Sequence, residues 1–293
     1  FGQEINYTFD KAGKPTDVIG SSFGGVTDYS RNAEYRAWGS LKAVSAGSGM
    51  QLGLSYNNRL RTSRYSLEDA SQNPIMDKSY SYQRDGKLSY LQDHLNARFD
   101  RLNTYDHAGR IRSGKSGAEA RGGTVASEDM KFDLPYRQSY EFNEFNNLTG
   151  SINLHWGETS WVGQSFATNY RYLNNRVQQG GWSYDEDGRN TASSNGTNSV
   201  TSTFNAAGKR ARTLSTYSDV KSYYDGNGAE IKRESSNWDD EETEWIVQPT
   251  KYFIRSSVFG GNIISEVWAS GKKHRSYVKG IGNQTAVQSA YAN

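Results

Sequence analysis

A six-residue pattern recurs along the chain: an aromatic residue, then Asp, Asn or Gln, two free positions, Gly, and Lys or Arg. It reads FDKAGK at 9–14, YQRDGK at 82–87, YDHAGR at 105–110, YDEDGR at 184–189 and FNAAGK at 204–209. With 20 Tyr, 11 Phe, 30 Gly and 34 Lys plus Arg among 293 residues, random placement yields far less than one match, so the pattern is an internal repeat. Degenerate copies extend it. YDGNGA at 224–229 lacks the basic residue, FNEFNN at 142–147 has Asn146 where Gly would sit, and YNNRL at 56–60 and YLNNRV at 172–177 read as shortened copies. The interval is 23 residues from Tyr82 to Tyr105, then 20 from Tyr184 to Phe204 and 20 again to Tyr224.

The hexamer predicts a hairpin corner. Asp or Asn at the first turn position bonds its side chain to the backbone two residues on, and Gly three positions later takes the positive φ that closes a type I turn with a bulge. The aromatic ends the incoming strand and the basic residue begins the outgoing one. The residues assigned to these corners are Phe9, Asp10 and Gly13; Tyr82 and Gly86; Tyr105, Asp106 and Gly109; Tyr184, Asp185 and Gly188; Phe204, Asn205 and Gly208; and Tyr224 and Asp225. About twenty residues hold two ordinary strands and two turns. Strand-like alternation fills the intervals, as in Ser139-Tyr140-Glu141-Phe142 and Thr201-Ser202-Thr203-Phe204.

Composition agrees with many short strands. Leu, Ile, Val and Phe make only 49 of 293 residues, but the net charge is +2 and 20 Tyr with 7 Trp supply apolar area, which separates the chain from a disordered one. The core is expected to be aromatic and to lie between strands. The charge balance provides no reason for a nucleic-acid partner, and no run of 18 apolar residues exists to span a bilayer. Absence of Cys removes disulfides, thiolate metal sites and a Cys nucleophile together. The chain opens on Phe1 with neither an initiator Met nor a signal-like segment, and it reads as part of a longer polypeptide.

Tyr105-Asp106-His107-Ala108-Gly109-Arg110-Ile111 and Tyr184-Asp185-Glu186-Asp187-Gly188-Arg189 resemble the tyrosine-aspartate (YD) repeat of the bacterial RHS, or rearrangement-hotspot, family. The stretch 252–282, with Ile254-Arg255-Ser256-Ser257-Val258-Phe259-Gly260-Gly261 and Tyr277-Val278-Lys279-Gly280, resembles a C-terminal segment of those proteins. The resemblance covers most of residues 50–282 and is weak over 15–50 and 283–293. It implies an all-β fold of YD-repeat antiparallel hairpins in a long coiled sheet, a partial shell or barrel-like wall, with residues 1–293 a single repeat region. It also implies a secreted or cell-surface location, and a non-enzymatic role in enclosing or presenting a polypeptide payload or in building a larger surface structure. The family's self-cleavage motif contains Asp-Pro, and none of Pro15, Pro74, Pro135 and Pro249 follows an Asp.

Other motifs read as structural. Gly109-Arg110-Ile111-Arg112-Ser113-Gly114-Lys115-Ser116 satisfies a phosphate-loop pattern but lacks the strand before it and the helix after it, so it is expected to be an exposed loop without a nucleotide. The acidic runs Asp185-Glu186-Asp187 and Asp239-Asp240-Glu241-Glu242 are expected to be solvated turns and not cation sites. His94, His107, His155 and His274 show no metal-ligand or triad spacing. Trp38, Trp156, Trp161, Trp182 and Trp268 are assigned to packing. No catalytic residue, metal or cofactor is called for. The expected partners are further copies of the chain or the rest of its own polypeptide. The alternative reading, an adhesin-like module, brings a glycan or protein ligand instead.

Overall fold

In a computed structural model of the chain, the residues described are 4–23, 25–124, 136–156, 161–166, 172–178, 180–194, 196–282 and 285–289. The strands are short and antiparallel, and each pairs with its neighbours in sequence. The first sheet begins with β1 (Ile5–Phe9), β2 (Pro15–Phe23), β3 (Val26–Tyr35) and β4 (Leu41–Ala46). It continues through β5 (Gln51–Tyr56), β6 (Thr62–Glu68), β7 (Pro74–Tyr82), β8 (Leu88–Asp93) and β9 (Arg101–Tyr105). The strands β10 (Ile111–Ser116), β11 (Tyr136–Phe142), β12 (Leu148–Trp156) and β13 (Trp161–Phe166) complete 13 strands in sequence order. A two-stranded ribbon, β14 (Tyr172–Leu173) and β15 (Arg176–Val177), follows.

The second sheet has 10 strands, again in sequence order. These are β16 (Ser183–Tyr184), β17 (Asn190–Ser194), β18 (Ser199–Phe204), β19 (Arg210–Ser215) and β20 (Ser218–Tyr224), then β21 (Glu230–Asp239), β22 (Glu244–Ser256), β23 (Asn262–Trp268), β24 (Lys273–Lys279) and β25 (Thr285–Ser289). The two sheets fall in two compact units, which divide at Tyr170 and Arg171. Neither closes into a barrel: β1 and β13 are the edges of one, β16 and β25 of the other. The stretch 252–282 supplies the end of β22 with β23 and β24. Residues 15–50 pair in the same meander as the rest.

A strand with one half-covered face needs only every second residue apolar or small. In β18, Val200, Ser202 and Phe204 are covered while Ser199, Thr201 and Thr203 are exposed. The expected aromatic core requires correction. Among the described residues the fully buried apolar side chains are mostly small and aliphatic, such as Val18, Val44 and Leu52, with Phe253 the one aromatic. Tyrosines are half-buried instead, because a phenol ring that covers a sheet face keeps its polar tip near solvent or a carbonyl.

Polar groups do the burying where the meander is interrupted. Between β8 and β9 the chain makes a 3-10 turn, Ala97–Phe99, and between β10 and β11 another, Gly117–Glu119. Asp100, 1 % exposed, ties these crossings together: its carboxylate accepts from the Asp93 N–H (2.8 Å), the Tyr90 hydroxyl (2.9 Å) and Arg121 (3.1 Å). Glu119, also buried, pairs with both arms of Arg137 on β11. Such a cluster is stable only with every member satisfied. Asp100→Ala leaves three donors without their acceptor, and an exposed Arg121 can turn to water, so the expected loss is about 2 kcal/mol, readable as a lowered midpoint in urea unfolding.

Candidate functional site

The hexamers fold as one kind of corner. At 106–110 the Asp106 N–H donates to the Arg110 carbonyl and the Gly109 N–H to the Asp106 carbonyl (both 2.9 Å), while Asp106 Oδ1 accepts from the Ala108 and Arg110 N–H groups. Gly109 has φ +81°. The same backbone bonds recur after Phe9, Tyr82, Tyr184, Phe204 and Tyr224, with Gly13, Gly86, Gly188, Gly208 and Gly228 at positive φ. Each corner carries a register shift at its aromatic, the bulge that the turn type demands. In 142–147 Asn146 takes φ +67° in place of Gly.

Of the two copies read as shortened, one differs from that reading. YNNRL is not shortened: Asn57 opens a full corner that closes on Arg61, with Leu60 held at φ +60° in the glycine slot. YLNNRV is a true two-residue turn, with Asn174 and Asn175 both at positive φ. A further copy, Tyr35-Arg36-Ala37-Trp38-Gly39-Ser40, escaped the pattern because Arg36 stands where the others have Asp, Asn or Gln.

These corners alternate with the other turns, so in the first sheet all lie at one end. There the strands of successive hairpins run side by side with no turn to join them. The aromatic bridges that gap. The hydroxyl of Tyr35 donates to the Pro15 carbonyl, Tyr56 to Leu41, Tyr82 to Thr62 and Tyr105 to Leu88, at 2.6 to 2.8 Å. In the second sheet Tyr224 reaches the Arg210 carbonyl in the same way. In each case the acceptor lies six residues after the aromatic of the preceding corner. Burial pushes the hydroxyls of Tyr35 and Tyr82 above their ordinary pKa, which keeps them donors. At the corner after β22, Arg255 occupies the aromatic slot and its Nε donates to the Glu230 carbonyl, the equivalent acceptor.

The basic residue of the hexamer serves the next corner, not its own alone. Arg61 lies over the Tyr82 ring, Lys87 over Tyr105, Arg110 over Phe142, Arg176 over Tyr184 and Arg189 over Phe204, at 4.8 to 5.8 Å. The same side chains cover the glycine of that corner. A Cβ on Gly86 would stand 2.6 Å from Arg61, one on Gly109 2.5 Å from Lys87, and one on Gly188 2.7 Å from Arg176. The glycine slot is therefore required twice, by φ and by the cation on it. Where the aromatic is Phe and has no hydroxyl, Arg110 reaches the Asn143 carbonyl and Asn146 Oδ1 instead.

Charge is largely settled inside the ladder. Burial disfavours the Asp106 and Asp185 carboxylates, yet the backbone and guanidinium bonds from Arg110 and Arg189 outweigh it and hold both carboxyls below their ordinary value. Asp187 pairs with Arg189, and the acidic run 239–242 forms the tip of the β21–β22 hairpin beside the edge-on ring pair Trp238–Trp245. The exposed loop expected at the phosphate-loop pattern is corrected: Ile111–Ser116 is a strand, with exposed Lys115 on it and only a three-residue 3-10 turn after it, so no α-helix N-terminus follows the pattern. His94 bonds Ser79, and His274 stacks on Trp268. Trp38 is 47 % exposed and meets Tyr56 edge-on, whereas the side chains of Trp156 and Trp161 lie outside the described residues. Among the described residues no group of three or more His, Asp or Glu is placed to hold a metal ion, and no helix is long and apolar enough to cross a membrane. The sequence pattern located most of the corners. What it missed, the hydroxyl-to-carbonyl bonds and the buried acids, depends on which strands lie side by side.

No family model matches the chain, and no curated protein matches it. Among solved structures, the crystal structure of TcdB2-TccC3-Cdc42 is similar over 99% of this chain and 15% of that one, at 12% identity and a TM-score of 0.68. The structure of the Photorhabdus luminescens Tc holotoxin pore is similar over 98% of this chain and 17% of that one, at 12% identity and a TM-score of 0.48. At this identity the likeness is one of fold, and the first match carries it. This chain spans about 15% of the length of the chain it matches there.

Two measurements check the ladder. Gly188→Val introduces a β-branched side chain at positive φ and displaces Arg176, and is expected to cost about 1 kcal/mol or more in thermal unfolding. The second is pH dependence. A carboxyl whose folded pKa lies below its unfolded one stabilises the fold above the unfolded value, and that stability is lost as pH falls through the folded value. Stability is thus expected to hold down to about pH 3.9 and to fall below it as Asp106 and Asp185 protonate, with a smaller fall in Asp106→Asn, followed by acid titration with circular dichroism.

Proposed function

We propose that the chain is a section of a YD-repeat shell of the RHS kind, a non-enzymatic wall in a secreted or cell-surface bacterial protein that encloses or presents a polypeptide payload. The observation that carries this reading is the ladder itself: successive hairpins are joined by a tyrosine hydroxyl, as at Tyr35, Tyr56 and Tyr224, by a cation on the next aromatic, as at Phe142, Tyr184 and Phe204, or by both, as at Tyr82 and Tyr105, a joint that lets hairpins be added one after another. In this reading residues 1–293 form one repeat region of a longer polypeptide, with 252–282 its RHS-like C-terminal segment. Phe9, Asp10, Gly13 and their counterparts are structural corners with no ligand of their own. The fold likeness to the TcdB2-TccC3 structure supports the same role.

A wall needs its edges covered. Backbone groups on the outer sides of β1, β13, β16 and β25 have no strand partner within their sheets, and such rows pair with further strands, either of the same polypeptide or of another copy. Light scattering over a range of concentrations, with electron microscopy, is expected to show this chain alone growing into larger β assemblies. A strictly monomeric particle at high concentration would remove the open-edge argument.

A further inference from the structure

In the ladder Lys87, Arg110 and Arg189 each pair with a carboxylate, whereas the groove around Arg61 has none. A groove of about 590 Å³ between two consecutive corners of the first sheet is lined by Arg59, Arg61 and Arg84 and by uncharged Asn57, Asn58, Tyr80, Ser81, Tyr82 and Gln83. No Asp or Glu lines it. Among the described residues none of the three arginines forms a salt bridge; Arg59 donates to the backbone carbonyl of Arg84 (2.6 Å), and both arginines are exposed. A second groove, between the corners at 105–110 and 142–147, is different, because Asp106 and Glu141 line it and Arg110 is committed to Asp106 and Asn146. The unpaired charge extends to the adjoining corner. There Arg36 replaces the usual acid or amide, its Nε is buried without a hydrogen-bond partner, and Trp38 lies half-exposed against Tyr56.

We propose that this groove is a binding site for an acidic polysaccharide, of the uronate class. Three arginines that line one groove with no carboxylate among them leave it positively charged, and a planar carboxylate meets a guanidinium with paired N–H···O bonds. Amide and hydroxyl groups from Asn58, Gln83 and Ser81 match sugar hydroxyls, and Trp38 offers an apolar face at the flank. A nucleic-acid strand fits less well, because one face of the Tyr82 ring is taken by Arg61 and its hydroxyl is bound to the Thr62 carbonyl, which leaves a poorer stacking platform for bases. An acidic peptide would gain most from backbone pairing, and the corner backbones here are already paired within their turns. The proposal stands apart from the shell reading, since a wall can carry this groove or lack it.

Titration calorimetry of the whole chain tests it, with oligomers of alginate as the probe and with neutral dextran, polyglutamate and single-stranded DNA in parallel. Alginate is expected to bind at low ionic strength and to weaken as salt is raised. The double variant Arg59→Gln, Arg84→Gln removes two exposed guanidinium groups and is expected to lose roughly tenfold or more in affinity with an unchanged melting temperature. Arg112→Gln, in the second groove, is expected to bind as the parent does. The proposal is overturned if alginate does not bind, if polyglutamate or DNA binds as tightly, or if Arg112→Gln loses as much as the double variant.

Discussion

The bond from a tyrosine hydroxyl to a carbonyl of the preceding hairpin is the joint on which the rest depends. A hairpin closes itself, through its turn and its own ladder of backbone bonds. Two hairpins set side by side share a ladder only along their facing strands, and at the corner end that ladder runs out before the turn. A phenol is long enough to span the remaining gap and ends in a donor, so it extends the pairing by one bond at Tyr35, Tyr56, Tyr82, Tyr105 and Tyr224. One such bond is worth only about 1 kcal/mol net, which is why it is repeated and reinforced by a cation on the ring.

The sparse core follows from the same economy. A meander with half-covered faces has few places to bury large aliphatic groups, and Val18, Val44 and Leu52 are among the few that are fully enclosed. Stability is spread along the sheet ends in aromatic, cationic and turn interactions. The exception lies where the meander is broken by 3-10 turns. There buried Asp100 and Glu119 supply the acceptors that a strand ladder would otherwise supply, each held by an arginine.

Charge distribution separates the structural cations from the groove. Arg110 and Arg189 serve their own aspartate and the next aromatic at once. At Asn57 the turn is closed by an amide, so Arg61 keeps its ring contact but has no carboxylate. Arg59 and Arg84 belong to turn positions that the repeat leaves free, where nothing in the corner geometry asks for a charge.

Much of this was legible in the residues. Type I turns with a bulge follow from Asp or Asn followed by Gly three positions on, because few other side chains supply the acceptor and the positive φ, and hairpin after hairpin follows from the repeat. The substituted corners were harder to read: Leu60 and Arg36 occupy slots that their types do not favour, and the turn's own backbone bonds still close around them. The expectation of an aromatic core failed because composition counts aromatic area without showing whether it faces an interior or a neighbouring corner. The sequence by itself determined the local turns and the meander that links them, since both depend on residues within a few positions of each other. Tertiary structure alone decided which carbonyl each tyrosine meets, which glycine each cation covers and which arginines are left unpaired, because those partners are set by strand register across some twenty residues of chain.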